Sequence, residues 1–303
     1  MKKILFHIVL IWAFTGIKAQ TDPLQSVFTY NMAYINPAST GMSGMGSLFL
    51  WHRSQWLSFD GGPQTQMLTV EYPFKKVAFG VNMFHDNDGT LSRWNTTALF
   101  SYALELSLET TLAFGINLGA DQIGYDPSRL NVKDRGEAFF DNPQRIFRLL
   151  SGVGVTVYSD RWFAGISTSN LLPARTLGTE ESYGGLGAAP VYFSTGINIP
   201  ATYTLTIRPS VLFRYMPGMP FNFDASVLFS FRDAFSAGIT YRHKAAYILL
   251  FSAKIGKKFR VGYSFDMDAT ELRRYAYGSH ELFLRYEFPT PSGKVRFQSP
   301  RFF

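Results

Sequence analysis

The sequence predicts an all-β fold, an antiparallel transmembrane β-barrel of about 14 strands. Three observations predict it. Apolar and polar residues alternate over segments of ~9–11 residues or more, the reach of a tilted membrane strand. The segments are even in number, as in bacterial barrels. The connections between them alternate, short then long, along the chain.

Composition narrows the field first. The 303 residues are 46% hydrophobic, 17% aromatic and 17% charged, with no Cys. Disordered chains are charge-rich and aromatic-poor, so that class is excluded. The absent Cys excludes disulfides and Cys-ligated zinc or iron–sulfur sites. A mean hydropathy of −0.01 is too low for a bundle of membrane helices. Two choices remain: an aromatic-rich soluble β protein, or a fold with its apolar atoms outside.

The first residues predict export. Lys2 and Lys3 precede an apolar run from Ile4 to Ile17, then Lys18-Ala19-Gln20. This pattern reads as a secretory signal, residues 1–19, cleaved after Ala19. The run is shorter than a typical span, and no long apolar segment follows it. No Cys opens the mature chain, so lipoprotein attachment there is excluded. Removing residues 1–19 removes three Lys and no acid, which takes the net charge from +7 to +4. That is too mild to imply a nucleic acid or an anionic surface.

The alternation is clearest in four places. Leu112, Phe114, Ile116 and Leu118 share one face, opposite Ala113, Gly115, Asn117, Gly119 and Asp121. Phe221, Phe223, Ala225, Val227, Phe229 and Phe231 alternate with Asn222, Asp224, Ser226, Leu228, Ser230 and Arg232. Tyr203 to Tyr215 and Phe259 to Met267 behave alike, with Arg208, Arg214, Arg260 and Asp266 on the polar face. A soluble sandwich turns its apolar face inward, whereas a membrane barrel turns it to lipid. Segment length, the charges on the small-residue face and the export signal favour the barrel. So do aromatics at the strand ends, Tyr72, Trp94, Trp162, Tyr215, Tyr241, Tyr286 and Phe288, placed as interfacial girdles.

In order, strands are predicted near 47–58, 64–72, 76–85, 92–106, 110–122, 147–159, 161–169, 190–199, 201–216, 220–232, 234–243, 245–256, 258–268 and 278–288. The even-numbered connections are short: Pro73-Phe74-Lys75, Leu106-Ser107-Leu108-Glu109, Ser159-Asp160, Pro200, Asp233 and Lys257. The odd-numbered ones include every long connection: 123–146, 170–189 and 269–277. Short periplasmic turns and long outer loops are the rule for such barrels, with both termini periplasmic. Within the barrel span 47–288, inward parity nominates Arg208, Arg214, Asp224, Arg232, Arg260, Asp266, Glu281 and Arg285 for the lumen. Residues 20–46 show no sustained period and read as a plug or a periplasmic cover. Residues 289–303 form a basic periplasmic tail ending in Phe302-Phe303.

Local motifs then resemble a known family. Tyr34-Ile35-Asn36-Pro37-Ala38-Ser39-Thr40-Gly41 resembles the N-terminal signature of the PorP/SprF family of the type IX secretion system. Arg53-Ser54-Gln55-Trp56, Asp60-Gly61-Gly62-Pro63 and Gln64-Thr65-Gln66 resemble its second motif. Trp162 to Ser167, Arg208-Pro209-Ser210, Tyr215-Met216-Pro217-Gly218, Gly262 to Asp266 and Gly278-Ser279-His280-Glu281 resemble later blocks, in the family's order. Phe265 and Ser39 depart from it, where the family has Tyr and an aromatic. The resemblance implies an outer-membrane protein of the type IX secretion and gliding machinery. Its implied partners are the C-terminal region of a large surface adhesin, periplasmic machinery proteins and outer-membrane lipid.

Each motif also has a plain structural reading. Around Arg53, Gln55, Trp56, Asp60, Gly61 and Pro63, turn chemistry accounts for the Gly and Pro. Arg53 faces the lumen there and needs an acidic partner. His280 and Glu281 point to opposite faces, which argues against a hydrolase and for a non-enzymatic protein. Asp86-Asn87-Asp88-Gly89 lacks the later bidentate Glu of a calcium loop. No metal, cofactor or nucleic-acid motif emerges. The tail reads equally as a frayed end or as a docking peptide. A passive channel or small-solute transporter is the alternative function, and a secreted sandwich the alternative fold.

Overall fold

A computed structural model describes residues 25–58, 61–126, 144–169, 171, 189–217, 219–269 and 277–291. Alternation builds fourteen strands. They are β1 (Gly46–Ser54), β2 (Gln64–Phe74), β3 (Val77–Asp88), β4 (Leu91–Glu105), β5 (Thr111–Tyr125), β6 (Gln144–Tyr158) and β7 (Trp162–Thr168). Then follow β8 (Val191–Ile197), β9 (Leu205–Tyr215), β10 (Asn222–Phe231), β11 (Phe235–Arg242), β12 (Ala246–Ile255), β13 (Phe259–Asp268) and β14 (Ser279–Phe288). Each pairs antiparallel with the next, and β1 also pairs with β14, from Gly46↔Phe288 to Ser54↔His280. The sheet therefore closes and leaves no edge. Beyond Asn198 the short segment Ile199–Pro200 continues β8 in the same register. The ladder breaks where Pro209, which has no N–H, continues that register opposite Ile197.

Burial assigns the faces. Phe114, Ile116 and Leu118 are 46%, 47% and 60% exposed, while Asn117 and Asp121 between and beyond them are buried. Arg208, Asp224, Arg260, Asp266, Glu281 and Arg285 are all buried inside. A soluble sandwich would show the reverse, so the apolar wall faces lipid. Tyr72, Trp162, Tyr286 and Phe288 lie toward one rim, and Trp94, Tyr215 and Tyr241 toward the other. No helix among the described residues is long and apolar enough to cross a membrane.

Tight turns occupy one rim, at Lys75-Lys76, 106–110, 159–161, 201–204, 232–234 and 256–258. The long connections occupy the other, which is the outer rim by the rule above. Three details differ from the sequence reading. Pro73-Phe74 and Pro200 lie within strands, because the ladder continues through them. Arg232 is not in the lumen. It is exposed in the β10–β11 turn with φ 49, because the strand ends at Phe231, one residue earlier than its pattern implied.

Inside the wall runs the N-terminal segment. A 3-10 turn (Phe28–Tyr30), a single turn of helix α1 (Met32–Ile35) and a second 3-10 turn (Pro37–Ser39) are buried nearly throughout. The segment descends from Ser26, near the outer ends of β1 and β14, to Gly41, beside Pro73 and Ala78 at the periplasmic rim.

The lipid-facing assignment has a measurable consequence. Ile116 lies in the middle of the wall, between Phe100 and Val153. In vesicle-reconstituted protein, Ile116→Arg costs about 2–4 kcal/mol of unfolding free energy, and Leu104→Arg near a strand end about 0–1. Urea titration in vesicles reads both, and equal small costs would contradict the assignment.

Candidate functional site

The candidate site is the lumen, and charge organises it. Arg53 on β1 pairs with Glu281 on β14 and, at 2.8 Å, with Asp266 on β13. Arg242 on β11 spans Asp266 at 3.3 Å and Asp224 at 3.2 Å. Arg214 on β9 reaches the other oxygen of Asp224 at 2.6 Å. Three guanidinium groups thus face three carboxylates across neighbouring and next-but-one strands, and all but Arg214 are buried. Charge taken from water at this depth is tolerable only when paired this completely.

Ser26 of the inner segment sits at the centre of this network. Its backbone N–H donates to both Glu281 oxygens, at 3.0 and 3.1 Å. Its hydroxyl donates to Asp266 at 2.7 Å and accepts from Arg53 and Arg242, each at 3.2 Å. One small side chain therefore uses all its hydrogen-bonding capacity. Trp51 Nε1 donates to Glu281 at 2.9 Å and completes the shell.

A second anchor lies lower on the opposite wall. Asn36 Nδ2 donates to Thr156 Oγ1 at 2.9 Å and to the Val155 carbonyl at 3.2 Å. Asn36 Oδ1 accepts from Ala38 N at 2.9 Å and caps the second 3-10 turn, which Pro37 opens. Gly115 and Gly154 are cross-strand neighbours beneath this turn. A Cβ on Gly115 would overlap the backbone of Pro37 and Ala38, and one on Gly154 would overlap Asn36 Oδ1. Bare backbone there lets Asn36-Pro37-Ala38 lie flat on the wall.

Between the anchors, aromatic packing fills the lumen. Tyr30 lies 4.6 Å from Phe283, and Phe283 stacks on Phe49 at 5.5 Å. The Tyr30 hydroxyl bonds Ser252 at 2.8 Å, and Arg285 donates to the Tyr30 carbonyl at 2.9 Å. Gly41, at φ 72, turns the chain toward β1 and donates its N–H to Glu71 at 2.7 Å.

A separate cluster lies at the periplasmic rim. Lys254 pairs with Asp233, and Arg260 and Arg208 reach the same carboxylate at 3.3 and 3.5 Å. Burial pushes the Asp233 carboxyl up. The hydrogen bond and charge of Lys254, with Arg260 and Arg208, outweigh it and hold Asp233 below the usual carboxylate range.

The structure brings many of the singled-out residues together. Arg53, Glu281, Asp266, Asp224 and Arg214 form one network, while Arg208 and Arg260 belong to the periplasmic cluster. Asn36, Pro37 and Gly41 belong to the inner segment. Thr65 donates to Asp86 at 2.6 Å on the wall. Gln55, Trp56, Gly61 and Pro63 remain in the first outer loop, where Gln55 N bonds the Pro63 carbonyl and Trp56 takes φ 49. Gly278 takes φ 77 just before β14. His280 points outward and bonds the Tyr263 hydroxyl at 2.6 Å, away from Glu281. Asp60, the leader 1–19 and the end of the tail lie outside the described residues. Ser26, Trp51 and Arg242 escaped the sequence reading. Inward parity on β11 signals Arg242, but nothing in the sequence signals Ser26.

Fold and site together define an outer-membrane β-barrel whose lumen holds its own N-terminal segment. Residues 17–286 match the family model of the type IX secretion system membrane protein PorP/SprF, and the chain belongs to that family. No curated protein matches it. The fold is shared with solved outer-membrane barrels, two of which serve as examples. The CymD monoaromatic hydrocarbon channel is 12% identical, with a TM-score of 0.53 over 88% of this chain and 94% of that one. The Ralstonia pickettii toluene transporter TbuX is 11% identical, with a TM-score of 0.51 over the same shares. The family and these neighbours are secretion or transport proteins.

Two measurements probe the charge clusters. Arg53→Met leaves Glu281 and Asp266 short of a cation and costs about 3–5 kcal/mol. Arg53→Met/Glu281→Gln recovers part of that, because a neutral amide still accepts from Ser26 and Trp51. Denaturant midpoints of the two variants give the comparison, and a double variant no more stable than the single would contradict it. Asp233 has a folded pKa below its unfolded one. Its pairing therefore contributes stability above about pH 4, which is lost as pH falls through the folded value. Unfolding midpoints measured from pH 7 to pH 2 decline only on the acid side, and Asp233→Asn makes that decline shallower.

Proposed function

We propose that this protein is a non-enzymatic docking component of the type IX machinery. It binds the C-terminal region of a large secreted adhesin at the cell surface, and delivers it or holds it there. Its periplasmic rim links to machinery proteins, and energy is supplied elsewhere. In this reading the leader is removed near Ala19, the mature chain resides in the outer membrane, and residues 20–46 act as a plug. The tail 289–303 extends into the periplasm. Arg53, Asp266 and Glu281 hold the plug, and Asn36 and Pro37 seat it. Recognition then falls to the outer loops and the periplasmic face.

The observation that carries this reading is the filled lumen. Ser26 to Gly41 cross it from rim to rim, bonded to the wall at both ends. Ser26 is held by wall residues that are themselves ion-paired, which supports a fixed plug over an open passage. Family membership supplies the secretion context.

The test is affinity purification of the detergent-solubilised protein, with mass spectrometry of what accompanies it, beside conductance of the same sample in planar bilayers. An adhesin co-purifying with a silent barrel is the expected result. A steady large conductance with no adhesin bound would sink the docking reading in favour of a channel.

A further inference from the structure

The lumen's charges balance at its outer end and do not balance at its periplasmic end. Arg53, Arg242 and Arg214 meet Glu281, Asp266 and Asp224 one for one. Among the described residues on the arc from β9 to β14 near the periplasmic rim, Arg208, Lys254, Arg260 and Arg285 pair with the two acids Asp233 and Glu287. The neighbouring turns add exposed Arg232, Lys257 and Lys258. The excess of cations is thus continuous from the lumen wall onto the surface.

Arg208 shows what is missing. It is 92% buried, since only 8% of it is exposed. Its Nη2 reaches Asp233 at 3.5 Å, the outer limit of a hydrogen bond, and its Nε has no partner among the described residues. Ser210 Oγ, two residues along the same lumen-facing side of β9, is also buried without one. Nε and Nη2 form the planar edge of a guanidinium that grips a carboxylate with two parallel bonds. A buried donor left unmade is costly, so an acceptor that reaches Arg208 Nε and shortens the long Nη2 contact would stabilise this edge.

The geometry points to a carboxylate-binding site at the periplasmic mouth, formed by Arg208, Ser210, Lys254 and Arg260, that takes an acidic peptide segment. The planar two-donor edge matches a carboxylate, and the Asp233 carboxylate already draws single contacts from Arg208, Arg260 and Lys254. The run of exposed cations at Arg232, Lys257 and Lys258 fits a chain carrying several carboxylates better than a single small ion. The peptide enters from the periplasm, because the inner segment fills the lumen above. This site is independent of which protein the outer loops hold.

The test uses the full chain in detergent and end-blocked hexaglutamate, with hexaglutamine and inorganic phosphate as the comparison probes. Hexaglutamate binds saturably and weakens with added salt, whereas hexaglutamine does not bind. Arg208→Gln and Lys254→Gln each weaken hexaglutamate about tenfold or more. Arg161→Gln, in the β6–β7 turn across the rim, leaves it unchanged. Folding of each variant is checked by the heat-dependent gel shift of the barrel. Lys257→Gln/Lys258→Gln, exposed in a turn, gives a weakened reading even where a lumen variant does not fold. No saturable hexaglutamate binding, or equal binding by the folded Arg208→Gln and Lys254→Gln variants, would overturn the proposal. Phosphate binding without hexaglutamate binding would also overturn it, in favour of a small-ion site.

Discussion

The lumen of this barrel holds the chain's own N-terminal segment, and the place of that segment is fixed by the cost of burying charge. Arg53, Arg242, Arg214, Glu281, Asp266 and Asp224 are tolerable in the interior only as a closed set. Three arginines and three carboxylates saturate most of one another, and Ser26 adds two donors, its N–H and its hydroxyl, and an oxygen that accepts from two of the arginines. The wall's electrostatics and the position of the inner segment are therefore one constraint. Removing Ser26 would leave Glu281 short of a backbone donor, and removing Arg53 would leave the segment without half its anchor.

The second constraint is steric and acts at the other anchor. Asn36, Pro37 and Ala38 press against β5 and β6 where Gly115 and Gly154 face each other. A glycine weakens a strand locally, yet these two sit on β5 and β6, strands of 15 residues each that pair along their whole length. That pairing offsets the loss and leaves a flat seat for the turn. Asn36 then completes the contact by bonding to the strand itself, so the turn and the wall specify each other.

Much of this was legible in the sequence, and the reason is the period of two. A strand that is lipid-facing on one side and lumen-facing on the other writes both faces into alternate residues, so Arg208, Asp224, Arg260 and Asp266 could be sent inward on parity alone. Parity fails at the ends, where the chain leaves the ladder. Arg232 obeys the alternation but sits one residue past the last rung, so it turns out to solvent. Pro73 and Pro200 read as turn residues because proline ends most strands, whereas on these the ladder runs on through it. The inner segment was beyond pattern reading altogether. Its order comes from contacts such as Ser26 to Glu281 and Asn36 to Thr156, which lie 255 and 120 residues apart in the chain.

The two ends of the lumen now differ in kind, and that difference bears on how the protein works. At the outer end Arg53, Arg242 and Arg214 are matched by Glu281, Asp266 and Asp224, with Ser26 bonded among them. The periplasmic end keeps cations in excess and leaves Arg208 Nε without a partner among the described residues. A barrel meant for solutes would need both ends receptive, since a solute must enter one and leave the other. An excess of cations on one side, beneath a lumen that holds its own chain, fits the docking role proposed above better than passage of a solute. The asymmetry follows from where the acids are placed. Asp224, Asp266 and Glu281 all fall near the outer ends of their strands, whereas the periplasmic ends of the same wall carry Arg208, Lys254, Arg260 and Arg285.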